Sequence, residues 1–181
     1  MLPMRLKPAI SIFCLLAFLA CDWQKQPERQ AEIEQDSIQV HFSPGGSPTA
    51  ALVETLDNAE KSVLVQAYSF TSAPIAAALK RAHDRGIAVN VILDKSQRSE
   101  RYTSATFLRN AGIPVWIDRS HAIAHNKVMI IDESIVITGS FNFTKSAEER
   151  NAENLLIINN QQIAGEYIAN WERHRTHSDK Y

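Results

Sequence analysis

Residues able to do chemistry crowd into one short stretch, positions 125–144, HNKVMIIDESIVITGSFNFT. His125, Lys127 and Asp132 are spaced H-x-K-x4-D, and Gly139-Ser140-x-Asn142 follows directly. The His offers a nucleophile or base, the Lys a fixed positive charge, and the Ser and Asn two hydrogen-bond donors. A phosphate diester takes that set, because its oxygens carry charge and more develops on them as a nucleophile attacks. The pattern reads as a phosphoryl-transfer site that needs no metal.

The spacing also dictates local structure. Positions 128–131 and 135–138 are apolar β-branched runs separated by polar Asp132-Glu133-Ser134, which predicts two strands and a tight turn. Alternation along a strand puts His125 and Lys127 on one face. Ser140 and Asn142 share a face as well, with Phe141 and Phe143 directed the other way into a core. Asp132, five residues past Lys127, falls on the opposite face or in the turn. Its expected role is structural, satisfying backbone or basic groups beneath the site. A lone His beside a strand is usually a satisfied polar residue, and H-x-K alone is noise. The Asp at fixed spacing together with G-S-x-N makes the set specific.

With those residues in place, the stretch resembles the HKD motif of the phospholipase D superfamily. AYSFT at 67–71, HNKVMIID at 125–132 and TGSFNFTKSAE at 138–148 are most similar to the small single-motif bacterial endonucleases of the Nuc type. The similarity runs from about residue 38 to residue 177. It implies an α/β domain, a layered helix–sheet–helix sandwich with a mixed, largely parallel sheet. It implies that His125 is the nucleophile and forms a phosphohistidine, with Lys127, Ser140, Asn142 and Glu153 completing the site. The candidate catalytic set is therefore His125, Lys127, Asp132 and Glu153, and the candidate phosphate-binding set Lys127, Ser140 and Asn142. Glu153 precedes an apolar strand, where a carboxylate can hydrogen-bond an imidazole nitrogen and stabilise its cationic form. Relatives with two motifs in one chain have two such His residues. A single motif implies a homodimer in which one His125 attacks and its twin handles protons.

These groups need elements to position them. Positions 38–43 read as a strand and 50–59 as a helix capped by Thr49. Positions 62–68 read as a buried strand, and 72–85 as a helix with Ser72 as cap, Pro74 in its first turn and Gly86 past its end. A strand at 88–94, a polar loop at 95–103, a helix at 105–111 and a strand at 114–118 complete the first half. The alternation suggests parallel pairing and an α/β fold. After the two motif strands, 145–151 reads as a solvated charged loop and 154–158 as a strand. Positions 161–173 form a closing helix with Ile163, Tyr167, Ile168 and Trp171 inward. Sites in such sheets gather at strand ends, yet His125 sits at the start of its strand, which that rule does not place. His121 reads as a loop residue rather than a lining one. No Cys pair or His/carboxylate cluster with ligand spacing stands near it, so no metal ligand and no cofactor is assigned.

The amino terminus reads as a targeting segment. Arg5 and Lys7 precede a twelve-residue apolar run at 9–20, followed by Cys21 and polar sequence. Leu19-Ala20-Cys21 resembles a bacterial lipobox, with Phe18 where Leu is usual. Of the two cysteines, Cys14 would leave with the leader and Cys21 would be lipidated. A cleaved soluble form and an uncleaved anchor are the alternatives, and all three place the domain outside the cytoplasm, in the periplasm. The expected organisation is a signal peptide at 1–20, a polar tether at 21–37 and a nuclease-like domain at 38–177.

Charge says little about the substrate. With 19 Lys and Arg against 20 Asp and Glu, the formal net charge is −1, so the whole molecule does not advertise nucleic-acid binding. Lys80, Arg81, Arg85, Lys95, Arg98, Arg101 and Arg109 offer either a basic rim or a solvated surface. Three readings stand: a non-specific endonuclease on DNA or RNA, a phospholipase D or phosphatidyl transferase, and a non-catalytic nucleic-acid-binding module. The intact chemical set argues against the last.

Overall fold

The computed structural model describes residues 36–99 and 103–181. The expectations for the leader, the tether before residue 36, Cys21 and Arg101 lie outside the described residues.

In chain order the elements are β1 (Ser37–Ser43), α1 (Pro48–Asp57), β2 (Ser62–Ala67), α2 (Ala73–Asp84) and β3 (Ala88–Asp94). A 3-10 turn (Lys95–Arg98), α3 (Ala105–Asn110) and β4 (Val115–Asp118) follow. Then come β5 (Lys127–Ile131), β6 (Ile135–Gly139), α4 (Lys145–Glu149), β7 (Glu153–Asn159), α5 (Gln161–Thr176) and β8 (Asp179–Lys180). The strands form one sheet in the order β1-β7-β6-β5-β2-β3-β4-β8.

Helices cover both faces, as the alternation of side chains along each strand requires. Val63, Val65, Val91, Leu93, Met129 and Ile131 join Leu52, Leu56, Ile75 and Leu79 of α1 and α2 in the main core. The intervening Ile92, Val128 and Ile130 face the other way and pack with Ala164 and Trp171 of α5. Trp171 also donates its Nε1–H to the Val65 carbonyl at 2.9 Å. Each fully buried Leu or Ile contributes about 1.5–3 kcal/mol of transfer free energy.

The sheet is mixed. Parallel pairing joins β2 to β3 and β3 to β4, and the remaining pairs are antiparallel. The parallel share is smaller than helix–strand alternation suggests, because β5 runs straight into β6 with no crossover helix between them. This arrangement places the motif. β5 is antiparallel to β2, so Lys127 lies opposite Ala67, and the start of β5 sits at the carboxyl ends of β2 and β3. The strand-end rule therefore does locate His125, once the direction of β5 is known.

Two local expectations are corrected. The first helix begins at Pro48, not at residue 50, and its cap is Ser47, at φ 52°, not Thr49. Proline presets the backbone for the first helical position, and the Thr49 N–H is instead taken by Glu148 Oε2 at 2.9 Å. Positions 145–151, expected as a solvated loop, contain α4. Thr144 Oγ1 accepts from the Ala147 N–H at 3.2 Å, and Ala147 is fully buried. Capping plus one anchored apolar side chain is enough to hold so short a helix.

Candidate active site

The site is built at one end of the hairpin and its neighbours. Asn126, just before β5, accepts the Tyr68 N–H at 2.8 Å. Ala124 donates its N–H to Asp94 Oδ2 at 2.7 Å. The chain between these ties carries His125, whose ring is exposed and packs 4.6 Å from the Tyr68 ring at 53°.

Lys127 is 7% exposed. Its Nζ donates to the His125 carbonyl at 2.8 Å and lies 5.3 Å from the centre of the Tyr68 ring. Burial pushes its pKa below the usual lysine value, and the nearby Glu153 carboxylate opposes that shift. The Tyr68 ring is thus shared by the His125 imidazole and the Lys127 ammonium.

Ser140 and Asn142 arrive from the other strand of the hairpin. Gly139 ends β6 at φ 149°, and a side chain there would run into the Asn154 carbonyl. That carbonyl accepts from both Ser140 N–H at 3.1 Å and Phe141 N–H at 3.2 Å. The close approach turns the chain so that Phe141 and Phe143 enter the core while Ser140 stays exposed. Ser140 Oγ donates to Glu153 Oε2 at 2.6 Å and accepts the Asn154 N–H at 3.1 Å. Asn142 Oδ1 is buried with no hydrogen-bond partner among the described residues. Leaving such a group dry and unpaired costs about 1–3 kcal/mol.

Glu153 is at this end of the sheet, at the start of β7, but within the chain it does not bond the imidazole. Its oxygens are engaged by Ser140 and by Asn151 Nδ2 at 2.9 Å. Asp132 does not join the site, which corrects its place in the candidate catalytic set. It occupies the turn at the far end of β5, at φ 54°, with Glu133 at φ 60°. Two successive left-handed residues are what a tight primed hairpin turn needs. The Asp132 carboxylate accepts the N–H groups of Glu60 at 2.9 Å, Lys61 at 2.7 Å and Ser62 at 3.0 Å. It fastens the hairpin to the entry of β2.

The basic rim is also corrected. α2 leads away from the site, so Lys80, Arg81 and Arg85 lie at the opposite end of the sheet. There Lys80 pairs with Asp84 at 2.6 Å and Arg81 with Asp57 at 2.8 Å. Arg85 donates to the carbonyls of Leu56 and Ala59, and Arg109 covers the Tyr181 ring. Lys95 and Arg98, in the turn after β3, are at the site end.

Sequence reasoning missed three supports. Tyr68, named only within AYSFT, touches both His125 and Lys127. Asp94 was legible as a carboxylate closing an apolar strand. Asn151 carried no signal. The expectation of no His/carboxylate cluster near His121 fails too. Asp118, His121, His174 and His177 bring ligand atoms within 4.8 Å of one another, a meeting of β4, a loop and the end of α5 that local spacing hides.

Comparison with known proteins identifies the family. Residues 52–175 match the family model described as cardiolipin synthase, PLD-like domain. A phospholipase D of Rickettsia conorii is 42% identical over 141 residues, covering 78% of this chain and 70% of that protein. A mitochondrial cardiolipin hydrolase of Xenopus tropicalis is 32% identical over 127 residues, covering 70% of this chain and 60% of that protein. The crystal structure of Nuc, a phospholipase D family member from Salmonella typhimurium, superposes with a TM-score of 0.78 at 37% identity. It covers 81% of this chain and 98% of that one. A histidine and a buried lysine held at one strand end, facing a Gly-Ser-x-Asn turn on the next strand, thus sit in a sheet of the same architecture, and the chain belongs to the phospholipase D superfamily of phosphodiester hydrolases.

Proposed function

We propose that the protein is a metal-independent endonuclease that hydrolyses nucleic-acid phosphodiester bonds through a phosphohistidine on His125. The observation that carries the chemistry is the gathering of His125, Lys127, Ser140 and Glu153 at one end of the sheet. The 37% identity to Nuc over nearly all of that chain favours nucleic acid as the substrate.

Cleavage through an attached phosphoryl group needs a nucleophile and, in the same step, an acid for the leaving oxygen. One imidazole does not serve as both. In a homodimer with two motifs across a two-fold axis, His125 of one subunit bonds to phosphorus and the P–O bond to the leaving alcohol breaks. The twin His125 gives that alcohol its proton, then takes one from water as the water releases the phosphohistidine. Lys127, Ser140 and Asn142 hold the non-bridging oxygens. Edge strand β1 exposes Ile38, Val40 and Phe42 at 63%, 50% and 63%, an apolar row that a second copy would cover. The leader supports export to the periplasm and attachment through a lipidated Cys21.

The second reading is hydrolysis of membrane phospholipid. It is favoured by the 42% identity to a protein named phospholipase D, and a lipidated Cys21, if formed, would suit it. Plasmid nicking in EDTA, run beside choline release from phosphatidylcholine vesicles, separates the two. Nicking that disappears with His125→Ala is expected. Choline release without nicking overturns the nucleic-acid reading. Loss of all cleavage in EDTA that Mg2+ or Ca2+ restores overturns the metal-independent mechanism.

A further inference from the structure

We infer that Asp118, His121, His174 and His177 form a site for one divalent cation, zinc by its donor chemistry, which ties the loop leading to His125 to the end of α5. Asp118 is the last residue of β4, and its side chain is 0% exposed. His121 stands three residues on, in the loop. His174 is in the last turn of α5 and His177 caps that helix.

Three imidazole nitrogens converge on a single carboxylate oxygen. Asp118 Oδ2 lies 2.8 Å from His174 Nδ1, 3.0 Å from His121 Nδ1 and 3.4 Å from His177 Nε2. An oxygen of this kind offers two lone pairs, so three imidazole nitrogens crowd it, although His121 Nδ1 also reaches the other carboxylate oxygen, Oδ1, at 3.2 Å. Its companion Oδ1 already accepts the Ser120 N–H at 2.9 Å. The rings crowd as well, with centroids 4.7 Å apart for His121 and His174 and 5.3 Å apart for the other two pairs. Charging all three would place like charges side by side. A cation between them resolves both conflicts, because each ring then presents a lone pair instead of a proton.

The dimensions fit. Metal bonds of about 2.0–2.1 Å in a tetrahedron put ligand atoms roughly 3.3 Å apart. The distances to Asp118 Oδ2 lie on either side of that value, and with all four ligand atoms within 4.8 Å of one another the rings must turn inward to close the set. Three imidazoles and one carboxylate suit zinc and its borderline neighbours and do not suit magnesium or calcium. Four protein ligands leave no open position, the pattern of a structural site. His121 and His177 are 45% and 35% exposed, so the cation can enter and a chelator can remove it.

Placement gives the site its consequence. The loop from His121 to His125 is held by Lys95 Nζ, which donates to the His121 carbonyl at 3.0 Å, and by Asp94 at Ala124. Coordination by His121 adds a third tie, this one to α5. The cation would order the approach to His125 without touching phosphorus.

The test uses the untagged chain. After equilibration with Zn2+ and removal of free metal, about one Zn2+ per chain is expected by mass spectrometry. Co2+ in its place should show the visible bands of a tetrahedral site. Saturating Zn2+ should raise the melting temperature by about 5–10 °C, and EDTA should reverse this. In the double variant His174→Gln/His177→Gln the bound metal, the cobalt bands and the Zn2+-dependent shift should vanish. Its circular dichroism should match that of the chelated wild type. Absence of stoichiometric binding to the wild type overturns the inference, as does binding that the double variant retains. These readouts are independent of catalysis, so failure of the nuclease reading would leave them unchanged.

Discussion

Ser140 Oγ donates to Glu153 Oε2 at 2.6 Å while accepting the Asn154 N–H at 3.1 Å. The hydroxyl is therefore held by β7, and its one proton must turn from Glu153 for it to donate to a phosphate oxygen. Ser140→Ala should free Glu153 to move and remove one phosphate ligand. A hydrogen bond to a charged group is worth about 1.5–3 kcal/mol, so the rate should fall roughly 10- to 100-fold. Turnover of bis(p-nitrophenyl) phosphate, which is neutral between nucleic-acid and lipid readings, measures it. An unchanged rate would remove Ser140 from the site.

His125→Ala should lower turnover of the same substrate by at least about 1,000-fold, with the melting temperature within a few degrees of wild type because the ring is exposed. Rapid acid-free quenching with a radiolabelled substrate should trap phosphate on the wild-type chain and none on the variant. Label retained by the variant would place the nucleophile elsewhere.

Lys127 titrates below the usual lysine value because it is buried. Its charge, needed for phosphate oxygens, is thus lost at a lower pH than that of a free lysine, and kcat/KM should show an alkaline limb below about pH 10.5. Stability moves the other way. The folded chain binds fewer protons than the unfolded one between the two pKa values, so this group contributes stability that grows as pH rises through that window. Lys127→Met should abolish activity, flatten that rise and leave the neutral-pH melting temperature equal or higher. A strongly lowered melting temperature would show that the bond to the His125 carbonyl outweighs the cost of burial.

Asp132→Ala leaves three backbone N–H groups without their acceptor. Two of these bonds are exposed and water can replace them, so the loss should be about 1–3 kcal/mol. Urea unfolding measures it, and the rate per folded molecule should stay within about twofold of wild type. A large rate loss at full stability would return Asp132 to the catalytic set.

Gly139→Ala imposes a side chain at φ 149° and against the Asn154 carbonyl. Both strain and clash oppose it. The variant should lose stability and displace Ser140, lowering activity further than Ser140→Ala alone. Activity above that of Ser140→Ala would mean that the turn relaxes around the methyl group.

What was legible in the sequence follows the range of the interactions. His125, Lys127, Ser140 and Asn142 could be read because one hairpin carries them and strand alternation is local. Glu153 could be placed at the end of a strand, but its partner Ser140 depends on how β6 and β7 meet, which no local pattern shows. Tyr68 follows β2, which pairs with β5, and Asp94 ends β3, which lies on the far side of β2, so neither position is shown by a local pattern. The share of antiparallel pairing was hidden for the same reason. The cluster at Asp118 joins β4 to the end of α5, and the two-residue strand β8 is too short to leave any periodicity.

The anchoring of the hairpin turn changes how this protein's variants must be scored. A library ranked by cellular activity alone would mark losses at both Asp132 and His125, the first through fewer folded molecules and the second through lost chemistry. Ranked by abundance, the two would separate, with Asp132 depleted and His125 retained. The motif's third letter is thus a folding determinant recorded in a catalytic signature, and pattern searches that demand it select for a well-made hairpin as much as for chemistry.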